Sequence, residues 1–139
     1  MKPRITLITL GVDDLERSLA FYRDGLGLSS PGIVGEEFEN GAVAFFKLDG
    51  GLRLALWPRR SLAADSGLAL TSSRGPLDVS LAHNVGSVEE VDDVMAQARR
   101  AGATIVKKAQ ATFYGGHAAA GPEVGVGCFS VSSGAASSR

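Results

Sequence analysis

A strand-turn-helix pattern occurs twice in this sequence, and the repeat limits the folds that the chain can adopt. In the first copy an apolar strand at residues 5–12 leads through an acidic turn into a helix with apolar side chains at helical spacing. In the second copy an apolar strand ends at Val85, which lies 73 residues after Val12, and another apolar-periodic helix follows. The pattern therefore predicts two copies of one β-α-β-β-β unit.

Both helices carry signals for their first turn. Asp14 is suited to cap the first helix, because its carboxylate can accept hydrogen bonds from the free backbone N–H groups there. Asp13 is the alternative cap, with Glu16 completing a capping box. Ser87 and Glu90 form an S-x-x-E capping box that predicts the start of the second helix.

Three further strands are predicted in the first unit, at residues 28–34, 42–48 and 52–57. Pro31 favours an edge or a bulge for the first of these, because proline has no N–H for a sheet ladder. The sequence Asp49-Gly50-Gly51 predicts a hairpin between the other two strands.

The second unit is predicted less completely than the first. Its strands are expected at residues 79–85 and 104–107, and after residue 114 the chain is rich in Gly and Ala, which give a sheet little to bury. Only residues 126–131 are expected to pair there. The predicted organisation is a single domain with module one at 4–57, a connector at 58–76 containing a possible helical turn, module two at 77–131 and a mobile tail at 132–139.

Length and composition exclude several classes of function. The chain has 139 residues, 14 Lys plus Arg and 15 Asp plus Glu, so a formal net charge of −1 gives no strong field for nucleic acid or an anionic membrane. No apolar run reaches the length of a membrane span. The single cysteine, Cys128, excludes an internal disulfide and fits a reducing compartment. We therefore expect a cytoplasmic protein with no nucleic-acid or membrane partner.

Three segments carry a resemblance to a known family. They read V-D-D-L-E-R-S-L-A-F-Y at residues 12–22, S-L-A-H-N-V at 80–85 and F-Y-G-G at 113–116. With the repeat, this pattern resembles the vicinal oxygen chelate superfamily, which contains glyoxalase I, bleomycin-resistance proteins and extradiol dioxygenases. The resemblance covers residues 4–117. It implies an α+β fold in which two β-α-β-β-β modules form a curled sheet around a shared cavity, and a homodimer.

Metal-dependent members of this family place His, Gln or Glu ligands on the first and fourth strands of each module. Carried over to this sequence, the first-strand positions fall on Leu7 and Ser80. The fourth-strand positions fall near Arg53 or Ala55 and near Ser130. None of these residues is a usual ligand of a divalent metal, so the resemblance favours a protein without a metal cofactor.

The two histidines are the alternative source of metal ligands. Strand parity places His83 with Leu81 and Val85 on the helix-facing side, which favours a buried structural histidine over a ligand. His117 follows a glycine pair, and we expect a loop histidine, with a pocket role as the alternative. A metal-dependent enzyme would have to use His83 or His117 with Glu123, in a different strand register.

The residues expected to bind a ligand are Thr9, Phe46, Trp57, Asn84 and Tyr114. Trp57 is suited to stacking on a flat molecule, although an ordinary core position is an equal alternative. Tyr114 offers a hydroxyl at the cavity mouth, or lies in a surface loop. The acidic run of Glu36, Glu37 and Glu39 is more typical of a solvated loop than of a site for a cation.

These observations predict metal-independent binding of a small hydrophobic or aromatic molecule, as in a bleomycin-resistance-like protein, with no cofactor and no bond broken. The alternative is a divalent-metal-dependent lyase or dioxygenase of the same superfamily. A third possibility is a member that only dimerises.

Overall fold

The computed structural model describes residues 1–70, 80–105, 107–111, 117–122 and 128–133. The chain divides into two compact units, residues 1–74 and residues 75–139. Each unit contains a four-stranded mixed sheet and an amphipathic helix that follows its first strand. The fold is therefore mixed α+β, as the sequence predicts.

The first unit contains strands β1 (Leu7–Val12), β2 (Ile33–Val34), β3 (Val43–Lys47) and β4 (Arg53–Pro58), and helices α1 (Leu15–Leu19), continued by a π-helical turn (Ala20–Gly25), and α2 (Arg59–Ser66). A short 3-10 turn (Asp49–Gly51) joins β3 to β4. The strand order is β1-β4-β3-β2, with β1 parallel to β4 and the other pairs antiparallel. Because β4 lies between β1 and β3, its residues pair with residues of both strands.

The second unit repeats this plan with strands β5 (Ser80–Val85), β6 (Lys107–Ala111), β7 (His117–Pro122) and β8 (Cys128–Ser133) and helix α3 (Val88–Arg100). Its strand order is β5-β8-β7-β6, again with a parallel pair at one edge. Leu7 pairs with Arg53 in the first unit, and Ser80 pairs with Cys128 in the second. The equivalent registers confirm the duplication inferred from sequence.

The predicted helix caps are confirmed. The Asp14 carboxylate accepts a hydrogen bond from the Arg17 backbone N–H at 3.0 Å, and the Ser87 hydroxyl accepts one from the Glu90 N–H at 3.1 Å. The Glu90 carboxylate in turn accepts from the N–H of Gly86 at 3.2 Å, one residue before the cap. Each unit therefore starts its main helix with the same local device.

The first unit has an aromatic core on the side of its sheet that α1 covers. Tyr22 and Phe46 are fully buried with ring centroids 5.8 Å apart, and Phe21 meets Tyr22 edge-on at 5.1 Å. The other core side chains are Leu10, Val12, Leu15, Leu19, Ala44, Leu54 and Leu56. This core fixes which face of the sheet each strand residue occupies.

The described residues of the second unit form a smaller core cluster. Val91 and Met95 of α3 pack with Val131 of β8, and the partly buried Val85, Val94 and Ile105 surround them. The described part of this core contains no aromatic side chain. The sequence predicts an apolar stripe from Val88 to Ala101 on this helix. Val91, Met95 and Ala98 are buried as predicted, whereas Val88, in the first turn, is exposed.

The predicted strands differ from the observed ones mainly at their ends. The strand expected at residues 28–34 is reduced to β2, because Pro31 has no N–H and Gly32 has a φ of 102°. The strand expected at 104–107 begins only at Lys107. The connector contains the two-turn helix α2, where one turn was predicted.

The expectation that only residues 126–131 would pair near the C-terminus is wrong. Both β7 and β8 form, and β7 lies inside the sheet, between β8 and β6. Backbone hydrogen bonds to two neighbours hold such a strand even when Ala and Gly supply little side chain. The predicted tail beyond residue 133 lies outside the described residues. Of the helices in the described part of the chain, none combines the length and apolar character needed to cross a bilayer.

Candidate functional site

The sheet of the first unit has a second face, opposite the one that α1 covers. It carries Leu7, Thr9, Gly11, Val43, Phe45, Lys47, Arg53, Ala55 and Trp57, which alternate with the core residues along β1, β3 and β4. We call this set the Thr9 face. It combines aromatic, aliphatic and cationic side chains, so it can contact both apolar and charged groups of a ligand.

The centre of the Thr9 face is an alanine surrounded by larger side chains. Ala55 is only 1% exposed, and its register partners are Thr9 on one side and Phe45 on the other, both half-buried. Arg53 and Trp57 flank it along β4. Ala55 is therefore covered, and the apolar groups of this face that a flat ring could contact are the half-buried Thr9, Phe45 and Trp57.

Trp57 is held in one orientation at one end of this face. Its indole N–H donates to the backbone carbonyl of Asn40 at 2.8 Å, and the Ser61 hydroxyl of α2 donates to the Asn40 Oδ1 at 3.4 Å. Asn40 itself has a positive φ of 54°, a conformation that asparagine tolerates better than most residues. The half-buried indole is thus fixed at its polar edge, while its ring remains part of the face.

The loop that supplies Asn40 is closed by two glycines. A Cβ atom on Gly35 would collide with the carbonyl oxygen of Gly41, and one on Gly41 would lie 2.8 Å from the Phe38 Cβ. Only glycine allows this approach of the two loop ends. The acidic run between them, residues 36, 37 and 39, is exposed, as expected for a solvated loop.

Helix α2 covers the same end of the Thr9 face. A Cβ atom on Gly11 would lie 3.1 Å from the Arg59 Cγ and 3.4 Å from the Leu62 Cδ2, so the helix packs directly over this glycine. Arg59 also forms an ion pair with Asp13 at 3.4 Å. Sequence reasoning missed this helix as part of the site. The apolar positions of α2 were too few to separate it from a polar connector.

The opposite end of the Thr9 face is cationic. The Arg53 guanidinium carbon lies 5.3 Å from the centroid of the Phe45 ring, which is a cation–π arrangement. Lys47 lies directly beside Arg53 in the register of β3 and β4, and both side chains are exposed. Leu7, 45% exposed, pairs with Arg53 on its other side.

The expected ligand-binding residues separate into three groups. Thr9 and Trp57 lie on the Thr9 face, as their strand parity predicts. Phe46 does not: it is 0% exposed and packs on Tyr22 in the helix-covered core. Its neighbour Phe45 occupies the expected place, because adjacent strand residues point to opposite faces. The register of β3 against β4, in which Phe45 pairs with Ala55, was the signal that would have identified Phe45.

The remaining two expected residues do not belong to the strands of the first unit. Asn84 is exposed on β5 of the second unit, where it pairs with Ser132. Tyr114 lies outside the described residues. The proximity of either residue to the Thr9 face therefore stays a prediction.

The expected environments of the histidines need correction. His83 is exposed, not buried. It occupies the edge strand β5, whereas α3 packs mainly on β8, where the paired Val131 takes the buried position. His117 is the first residue of β7, aligned with Ser133, and does not lie in a loop. Glu123 lies outside the described residues.

The first-unit positions that the resemblance assigns to metal ligands carry side chains that do not bind a divalent metal. Leu7 and Arg53 are direct partners in the parallel pair of β1 and β4, and the next such pair is Thr9 with Ala55. Leucine and alanine offer no donor atom, and a guanidinium repels a cation. Among the described residues, no three His, Cys, Asp or Glu side chains gather around a common point.

The comparisons with known proteins agree with this fold. The sequence profile of the Glyoxalase/Bleomycin resistance protein/Dioxygenase superfamily matches residues 4–129. A glyoxalase-related enzyme from Fulvimarina pelagi is 30% identical, with a TM-score of 0.80 over 95% of this chain and 88% of that one. A search of curated protein sequences found no significant match.

More distant solved structures share the fold. Lactoylglutathione lyase from Agrobacterium tumefaciens is 21% identical, with a TM-score of 0.65 over 95% of this chain and 94% of that one. The fosfomycin resistance protein FosX from Listeria monocytogenes, solved with Mn(II) and a dihydroxypropylphosphonic acid, is 19% identical, with a TM-score of 0.66 over 94% of this chain and 90% of that one. The profile match, the duplicated sheets and the caps lead to one conclusion: this chain belongs to the Glyoxalase/Bleomycin resistance protein/Dioxygenase superfamily.

Proposed function

We propose that this protein binds a small hydrophobic or aromatic molecule on the Thr9 face, without a metal and without breaking a bond. One observation carries the proposal. The face carries the half-buried rings of Phe45 and Trp57, and both rings are held in place by contacts within the protein. Rigid aromatic side chains bind flat ligands with little loss of conformational entropy.

Independence from metal is supported by the chemistry of the ligand positions. A Lewis acid needs imidazole, carboxylate or thiolate donors, and the strand partners Leu7 and Arg53 provide neither charge nor lone pair of the required kind. The residues that remain on the face can position a molecule by shape, stacking and a few polar contacts. They include no general base beside a nucleophile, which argues for binding over catalysis.

Two measurements on purified protein test this proposal. Isothermal titration with 2-naphthamide, in buffer containing EDTA, is expected to give saturable binding at one site. Phe45→Ala is expected to weaken it about tenfold, because the variant removes one ring of the site. Phe38→Ala is the matched control, since Phe38 is 68% exposed in the Gly35–Gly41 loop and its loss is expected to leave binding unchanged.

A divalent-metal-dependent lyase or dioxygenase is the rival function, and the lyase and the Mn(II)-bound FosX among the structural neighbours are the reason to test it. Elemental analysis of protein purified without chelator distinguishes the two. The proposal expects no stoichiometric metal. Stoichiometric Zn, Ni, Mn or Fe that is lost in His83→Ala would overturn it in favour of the rival.

Two further expectations belong to this proposal. A homodimer is expected, because members of this superfamily commonly complete their cavities across a dimer interface, and light scattering after gel filtration measures it. A cytoplasmic location is expected from the single cysteine and the lack of an apolar span in the sequence, and fractionation of cells that express the tagged protein measures it. A dimer that binds no aromatic compound would favour a member that only dimerises.

A further inference from the structure

We infer that the Thr9 face selects anionic ligands, small aromatic or hydrophobic carboxylates, and that Arg53 binds the carboxylate. This inference rests on the proposed function, because it names the chemical class of ligand for the same face. It follows from the distribution of charge on that face, from the contacts of Arg53 and from the position of the acidic loop.

Two cations lie side by side at one end of the face. Arg53 and Lys47 are direct partners across β4 and β3, and like charges in this arrangement repel each other. Among the described residues, neither side chain forms a salt bridge with a carboxylate. Binding of an anion between or beside them would relieve this repulsion, so the pair is poised for a negatively charged group.

No acidic residue of the three strands opposes such an anion. The other side chains of the Thr9 face are neutral, and most are apolar. The acidic run at residues 36–39 belongs to the loop that holds Trp57 through Asn40, at the other end of the face. Arg53 and Trp57 are four residues apart on β4, about 13 Å along a strand. A ligand is therefore oriented with its carboxylate at Arg53 and its ring towards Trp57.

Arg53 is held by Phe45 in an orientation that suits the binding of a carboxylate. Its guanidinium carbon lies 5.3 Å from the Phe45 ring centroid, and stacking on a ring restrains the guanidinium plane while leaving its N–H edge free to donate. A planar guanidinium offers two parallel N–H groups that match the two oxygens of a carboxylate. The same Phe45 ring is an apolar group of the face, so the charged and apolar parts of the site adjoin.

Paired ligands of one shape test the inference. Isothermal titration in low-salt buffer with EDTA compares 2-naphthoate with the neutral 2-naphthamide. The wild-type protein is expected to bind the carboxylate about tenfold more tightly. Arg53→Gln is expected to remove this preference, so that the two ligands bind with affinities within about twofold of each other. Because the variant also loses the contact with Phe45, its affinity for the amide is the internal reference for the comparison.

Two other substitutions are compared with Arg53→Gln. Arg17→Gln makes the same change of charge at an exposed position on α1, on the other side of the sheet, and is expected to leave the preference intact. Arg53→Lys keeps the charge but loses the planar fork, and is expected to retain only part of the preference. Circular dichroism of each variant checks that it folds.

Each outcome decides a different point. Equal affinity of the wild type for the two ligands would overturn the inference and leave the proposed function standing. Binding of neither ligand would overturn both. A preference that persists in Arg53→Gln, with the variant folded, would also overturn the inference, because Arg53 would then not be the carboxylate-binding group.

Discussion

The two units of this chain have the same sheet order and the same parallel edge pair, but they are filled with different side chains. The first unit buries Phe21, Tyr22 and Phe46 against a leucine-rich sheet, whereas the described core of the second unit consists of Val91, Met95 and Val131 with smaller flanking contacts. Strand register and helix capping are shared, whereas the described part of the second core contains no aromatic side chain. Among the described residues, the comparison teaches that the same backbone pairing and caps accompany cores of different composition.

The difference extends to the site. In the first unit, aromatic and cationic side chains occupy the Thr9 face, while the aromatic core behind it fixes the sheet. Eleven of the 23 residues in the strands of the second unit are Ala, Ser or Gly. This contrast is the reason why we propose the ligand site on the first unit.

The largest expected effect on stability comes from a substitution in the aromatic core of the first unit. Phe46→Ala should lower the free energy of unfolding by about 3–5 kcal/mol, because it removes a fully buried ring and leaves a cavity beside Tyr22. Urea denaturation followed by circular dichroism measures it. Phe38→Ala, at an exposed position, is the control. A loss below about 1 kcal/mol for Phe46→Ala would contradict the placement of this ring in the core.

A smaller loss is expected for the core of the second unit. Val131→Ala removes two buried methyl groups that contact the α3 cluster, so urea denaturation should show a decrease of about 2 kcal/mol in the free energy of unfolding. Val88→Ala, at an exposed position on α3, is the control. If Val131→Ala cost as much as Phe46→Ala, the two cores would contribute equally and the comparison would fail.

Removing a helix cap should lower the free energy of unfolding by the same amount in both units. Asp14→Ala and Ser87→Ala each remove one side-chain acceptor from the first turn of a helix, and each is expected to cost about 1 kcal/mol in the free energy of unfolding. Asp93→Ala, at an exposed position within α3, provides the reference. A negligible cost at Ser87 alone would show that capping differs between the units as well.

A substitution in the Gly35–Gly41 loop beside Trp57 should weaken ligand binding and leave the rest of the structure largely unchanged. Gly41→Ala places a Cβ against Phe38 and the Gly35 carbonyl, which moves Asn40 and removes the acceptor of the indole N–H. We expect about a fivefold loss in affinity for 2-naphthamide, comparable to the loss of one hydrogen bond. Gly86→Ala, whose Cβ would meet only ordinary contacts at 3.5 Å, is the control and should bind normally.

The smallest effect is expected at the Arg23–Asp24 ion pair, which is exposed. The hydrogen bond from Arg23 lowers the pKa of Asp24, so any stability from this pair is present above the ordinary carboxylate range, near pH 4, and is lost as the pH falls. Solvent screening makes that contribution small. Asp24→Asn should leave the urea midpoint unchanged at pH 7, and a clear decrease there would show that surface pairs matter in this unit.

The sequence predicts much of the fold because its signals are local. Asp14, Ser87 and the alternation in β1 and β4 act within a few residues, so both helix starts and the faces of these strands follow from short patterns. Strand β7 was missed because its stability comes from neighbours that are distant in sequence. No local feature of an Ala-rich segment records that it will lie between β8 and β6.

The site was predicted less well than the fold, for the same reason. Thr9 and Trp57 follow from parity within their own strands, but Phe45 can be chosen over Phe46 only when β3 is registered against β4. The expected burial of His83 was wrong because parity gives the face of a residue and not how far a helix extends over an edge strand. Both errors concern contacts between elements.

The most direct test of the central claim is the affinity for 2-naphthoate before and after removal of metal. Fluorescence of Trp57, the one tryptophan of the sequence, reports the titration, with protein dialysed against EDTA compared with the same protein supplied with Mn(II) or Zn(II). Our account predicts that the dissociation constant agrees within about twofold in the three samples. Binding that disappears after chelation and returns with either metal would contradict it.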